Sequence, residues 1–160
     1  MFTIVLALLL GVVAGLRALT APAAASWGAY LGWLHLSGSW LAFLGHPVTP
    51  WVLTALALGE IVNDKRPSTP SRTIPPSFGF RIVTGGLSGA AIGVSGGGQL
   101  LGGLVAGVAG AVIGTLGGIA ARSRLAAAFG RDLPAALLED AVAVLGALLV
   151  VWAASRASGL

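Results

Sequence analysis

The chain has 160 residues, of which 56% are hydrophobic and 9% charged, and its mean hydropathy is +0.95. Soluble domains carry about a quarter charged residues, and a core this small could not hide so much apolar surface, so the composition excludes a water-soluble globular protein and calls for lipid around the fold. Nine Lys and Arg against five Asp and Glu give a net charge of +4, and there is no cysteine. The bases fall between apolar runs, which marks membrane topology rather than nucleic-acid binding, and disulfides, thiolate metal sites and Cys nucleophiles are excluded.

In chain order, the first apolar run extends from Phe2 to about Thr20 and is interrupted only by Arg17. No basic segment precedes it, so a retained first span is expected rather than a secretory signal. Pro22 to Val62 holds one acid and no base, but Gly38, Gly45, Pro47 and Pro50 break it. It fits either two spans or short, re-entrant helices. Trp27, Tyr30, Trp33, Trp40 and Trp51 cluster there, as expected near a headgroup boundary.

The segment 63–81 carries Lys65, Arg66, Arg72 and Arg81 against Asp64 alone. It reads as a cytoplasmic loop whose prolines exclude a regular helix. The uncharged stretch 82–121 fits two spans turning at Ser95–Gln99. The loop 122–134, with Arg122, Arg124 and Arg131, then returns to the cytoplasmic side. A last span over 135–156 would leave the C-terminus outside. The expectation is one all-α integral membrane domain over 1–160, a polytopic bundle of about four to six spans with its N-terminal helices in 1–62.

Glycines recur at every fourth position in two rows: Gly85, Gly89, Gly93 and Gly97, then Gly110, Gly114 and Gly118. Each glycine costs a helix about 1 kcal/mol against alanine, but in lipid such rows let two backbones approach closely. A tightly packed Gly-rich central pair is expected, with the rows also available to join copies into a homo-oligomer.

Four of the five acids form two groups, Glu60 with Asp64 and Glu139 with Asp140. Arg17, Lys65, Arg66, Arg122 and Arg124 supply positive charge near them or, for Arg17, within an apolar run. Ionisable groups in a membrane mark ion or proton paths, or pair with one another. Two readings follow: an ion-pair clasp in which Arg17 neutralises Glu60 or Glu139, or a cation or proton site on Glu60, Asp64, Glu139 and Asp140. In the second reading Arg17, Lys65 and Arg122 act as counter-ions, and carboxylate oxygens suit hard cations. The metal itself stays unspecified. Arg17, Lys65, Arg72, Arg81 and Arg122 also suit an anionic lipid headgroup.

Enzyme chemistry finds little footing and no cofactor is implied. Gly86-Leu87-Ser88-Gly89 matches a short serine-nucleophile motif, yet only His35 and His46 are available as bases, and small residues in a glycine row are explained by packing.

The run Gly59-Glu60-Ile61-Val62-Asn63-Asp64-Lys65-Arg66-Pro67 resembles the Glu-x-x-x-Asp-Lys-x-Pro signature of a small bacterial membrane family known only as a domain of unknown function. Arg17, Gly32-Trp33-Leu34 and Glu139-Asp140 fit the same pattern. The resemblance implies a multi-pass protein of the bacterial inner membrane without an assigned activity. Glu60 to Lys65 is also similar to the Glu-x-Gly-Asp-Lys motif of membrane cation/proton exchangers, with the spacing changed by one residue and the glycine missing. The functional expectation is a small transporter or channel-like protein for a cation or protons. The alternatives are an accessory subunit of a larger membrane complex and an anionic-lipid binding or translocating protein.

Overall fold

The computed structural model describes residues 1–65 and 71–157; Arg66 and Pro67 of the signature, with Ser68–Pro70 and Ser158–Leu160, lie outside the described residues. In chain order these form α1 (Phe2–Leu16), α2 (Thr20–Tyr30), a 3₁₀ helix (Trp40–Gly45), α3 (Thr49–Asn63), α4 (Pro75–Ser95), α5 (Leu100–Phe129) and α6 (Asp132–Ala157). No strand occurs among the described residues. The helices α4, α5 and α6 are long and apolar enough to cross a membrane, and α1 is a shorter apolar helix. The chain is therefore an all-helical membrane protein.

Local chemistry sets the helix ends. Pro75 and Pro76 open α4 instead of excluding a helix, because the first turn has no ladder partners for its N–H groups and proline's fixed φ suits it. The loop expected over 63–81 therefore stops at Ile74, and Arg81 is helical. Similarly, α5 carries Arg122 and Arg124 within its last turns and ends at Gly130, whose φ of 68° is the left-handed cap that glycine adopts without strain. Between α4 and α5, Gly97 and Gly98 take φ of 108° and 80°.

The helices alternate in direction. Gly96, after the end of α4, lies against Thr3 at the start of α1, while Arg81 near the start of α4 reaches Gly15 at the end of α1. One end of the bundle gathers the α1–α2 turn, the end of α3, the start of α4, the last turns of α5 and the start of α6. The other holds Met1 and the end of α6, with Met1 beside Trp152 and Arg156.

Three helices meet almost backbone to backbone. A methyl group built on Gly89 would overlap Gly103 and Gly107 of α5, and one on Gly110 or Gly114 would overlap Leu8 or Val12 of α1. Gly85 faces Ala111 and Gly107, Gly93 faces Gln99 and Gly103, and Gly118 faces Leu16 and the Arg72–Glu139 pair. The second row thus meets α1 rather than a neighbouring copy. Gly11 and Gly15 of α1, which the four-residue spacing within 82–121 does not reveal, complete the contact.

Helix α3 is held differently. It packs chiefly on α2, and only Pro50 and Ala57 are buried. Trp27 Nε1 donates to Thr54 Oγ1 at 3.0 Å and its ring meets Trp51 edge-on. An apolar groove lined by Ala57, Leu58, Ala147 and Leu148 separates its other flank from α6.

Candidate functional site

Four helices, α3 to α6, and the α1–α2 and α3–α4 connections deliver charged side chains to one end of the bundle. Arg17 sits in the three-residue turn between α1 and α2, where its own N–H donates to Val13 O at 2.7 Å. Its side chain is fully buried. One guanidinium nitrogen lies 2.8 Å from Asp64 Oδ2 and the other 2.5 Å from Asp140 Oδ1. Arg17 therefore joins the two acidic groups, through their aspartates and not through Glu60 or Glu139 as the sequence had suggested.

The other bases complete the lattice. Lys65 Nζ lies 2.6 Å from Asp140 Oδ2 and donates back to Ile61 O at 3.1 Å. Arg72 grips Glu139 with both terminal nitrogens, Nη2 donating to Oε2 at 2.9 Å. The same Nη2 lies 3.3 Å from Asp64. Arg122 donates to Asp64 at 2.6 Å, to Glu139 at 3.4 Å and, from its Nε and Nη2, to Asp132 at 2.9 and 2.7 Å. Asp132, absent from the sequence-based site, stands at the exposed rim. Its spacing from Arg122 becomes meaningful only once Gly130 folds α6 back on α5.

Glu60 belongs to the cluster in a different way. Its two oxygens accept the N–H groups of Ala18 and Leu19, at 2.8 and 2.9 Å, and so cap the start of α2. A carboxylate there satisfies donors that the helix leaves open and meets the positive end of its dipole. At the end of α1, Arg81 Nη1 donates to the carbonyls of Gly15 and Leu16 at 2.8 and 3.0 Å. The turn is thus closed by opposite charges on its two helix ends, and Arg81 Nη2 stands 3.6 Å from Glu60, a looser pair than those around Asp64.

The electrostatics follow from this geometry. Burial pushes the Asp64 carboxyl up, but the hydrogen bond from Arg122 and the charges of Arg17 and Arg72 outweigh it, leaving the group at about 2. Burial acts to discharge Arg72, yet the hydrogen bond and charge of Glu139, with Asp64 behind, hold its guanidinium above its ordinary range. Asp64 is the anchor of the network and stays ionised.

A cavity of about 320 Å³ opens beside the cluster, lined among others by Glu60, Asp64, Arg72, Arg81, Ser77 and Phe80. Among the described residues, no three His, Asp or Glu side chains are grouped to hold a metal ion. The four expected acids, with Arg17, Lys65 and Arg122, come together here. Gly118 touches the cluster's edge, whereas Gly85, Gly89, Gly93, Gly110 and Gly114 serve helix contacts. Ser88 is buried and donates to Thr84 O at 2.7 Å. His35 and His46 line one pocket at the opposite end of the bundle. Compared with models of known families, with curated proteins and with solved structures, the chain matches none.

Proposed function

We propose that the protein is a small transporter or channel-like protein of a bacterial inner membrane, handling a proton or cation at its carboxylate cluster with α3 as the moving part. The observation that carries this reading is that α3, lightly packed along its length, is fastened at its tip by Glu60 and Asp64. Isolated charges in a bilayer are costly and buried pairs stabilise weakly against apolar replacements, so such a network is better suited to switching than to holding a fold.

Glu60 is the exchangeable group, because it borders the cavity and its arginine partner is the most distant in the cluster. A proton or cation arriving there competes with Arg81 and with the α2 amides, freeing the tip of α3, while Asp64 keeps its three guanidinium partners. Glu139 and Asp140 hold Arg72, Arg17 and Lys65 in place during the exchange. With so short a chain a homo-oligomer is also proposed. Its seam would lie on exposed apolar faces, since the glycine rows are filled within the chain.

The test is flux of protons and divalent cations into proteoliposomes, with Glu60→Gln and the Glu60→Gln, Glu139→Gln double variant alongside. Flux should fall about tenfold or more in both, the scale of one lost charge-assisted contact. No flux above empty liposomes, or wild-type flux in the double variant, would overturn the proposal. The first result would favour a second reading, an accessory subunit of a larger complex. That reading draws on the fact that all five Asp and Glu side chains already face a base, and it predicts stoichiometric co-purification with a partner.

A further inference from the structure

We propose that the cavity between the α1–α2 turn, the tip of α3 and the start of α4 is a binding site for a phosphate oxyanion, with Arg81 as its principal ligand. The side chain of Arg81 is 6% exposed. Its Nη1 is spent on two carbonyls; among the described residues its Nη2 has only the distant Glu60 and its buried Nε has no hydrogen-bond partner. A buried guanidinium N–H left unpaired is costly, and this side chain lines the cavity.

Two further features favour an anion. The cavity meets the first turn of α4, a helix of 21 residues. Pro75 and Pro76 have no N–H to give, and the ladder begins with Phe78 donating to Ile74 O at 2.9 Å. The Ser77 amide and hydroxyl therefore stand at the positive end of the helix, on the cavity wall, the arrangement in which helix termini receive phosphates. The charge balance points the same way. Among the described residues, Arg17, Lys65, Arg72, Arg81 and Arg122 are inside the cluster with Glu60, Asp64, Glu139 and Asp140, while the fifth acid, Asp132, is 61% exposed. With Asp132 held by Arg122 at the rim, five bases meet five acids, and Arg81, 3.6 Å from Glu60, is the base least compensated by its partner, which leaves it open to a monoanion such as a phosphodiester.

The same chemistry is offered by a phospholipid headgroup and by free phosphate. Phe80 and Ile74, half exposed at the mouth, give the cavity an apolar threshold at the rim of the bundle, and a lipid would lay its chains there. This site does not depend on the transport reading, because binding is measured without flux.

The experiment uses the purified full chain in detergent, with its five tryptophans reporting thermal unfolding. It is titrated with dihexanoyl-phosphatidylglycerol, with sodium phosphate and with sodium chloride as the control for ionic strength. Ser77→Trp fills the cavity without altering a charge, and Arg81→Gln removes the principal ligand. The expected result is saturable stabilisation by the short-chain lipid, weakened about tenfold or more in both variants, as for loss of a charge-assisted contact. A response to phosphate as strong as to the lipid would assign the site to the free anion; a response to the lipid alone would assign it to a headgroup. Should Arg81→Gln fail to fold, Ser77→Trp decides. Absence of a specific response to either probe, or wild-type affinity in Ser77→Trp or in folded Arg81→Gln, would overturn the proposal.

Discussion

Asp64 and Glu60 sit four residues apart on one helix and do different work. Asp64 is surrounded by Arg17, Arg72 and Arg122, and its carboxyl is held at about 2 against an ordinary 3.8. A depressed folded-state value means that this group adds stability above its unfolded value and loses it as the pH falls through the folded one. Unfolding measured in detergent should therefore show a loss of stability between about pH 4 and pH 2. Asp64→Asn should lower stability at pH 7 and flatten that acid limb. An unchanged acid limb in the variant would show that other groups carry it. The identity of the charged residues was legible in the sequence, since so few charges in so apolar a chain stand out. Their pairing was not. Arg17 reads as a lone base in a span, and only the turn after Leu16 and the return of α6 bring it between two aspartates. Arg81 was assigned to a loop because the prolines of 63–81 were read as excluding a helix, whereas Pro75 and Pro76 begin one.

At the scale of the element, the contrast lies between helices joined by their backbones and a helix joined by its tip. Gly107→Ala should cost about 3 kcal/mol, because the added methyl meets the backbone of α4 on a rigid surface. Gly117→Ala, ten residues along the same helix and open to its surroundings, should be neutral or stabilising by roughly 0.5–1 kcal/mol. Thermal unfolding of the two variants checks the pair, and equal effects would deny the close contact. The spacing of four in 82–121 made a helix contact legible, but spacing within one segment cannot name the partner, and α1 was missed for that reason. For α3 the prediction concerns motion. The chain has no cysteine, so a single Ala57→Cys, buried in the groove beside α6, reports opening directly. Its modification by a maleimide should speed up about tenfold when Glu60→Gln loosens the tip. An unchanged rate would mean that α3 does not move with that carboxylate.

For the whole molecule, the charged cluster lies at one end of the bundle, and Met1 with the last described turn of α6 lies at the other. Cysteines placed singly at Ser71 and at Ser155 should label from opposite faces of sealed vesicles, with Ser71 on the side that holds the charged cluster. Labelling of both from one face would contradict the alternating bundle. The membrane class of the chain was legible from composition alone. The order of crossing through 22–62 was less so, because short helices broken by glycine and proline carry too few apolar residues each to be separated by hydropathy.

The closeness of α1 to α5 bears on how the chain is made. Thr115 donates to Gly15 O across 100 positions of sequence, so α1, made well before α5, finds this partner only after α5 has been synthesised. Until then its glycine face has only lipid for company. A nascent chain stopped before residue 100 therefore holds an unfilled seam and an Arg17 that has Asp64 but lacks Asp140, and should be recognised and degraded by membrane proteases. Full-length chains should acquire protection late and all at once. Synthesis of α5, and not insertion of α1, is then the step that commits the bundle to its fold.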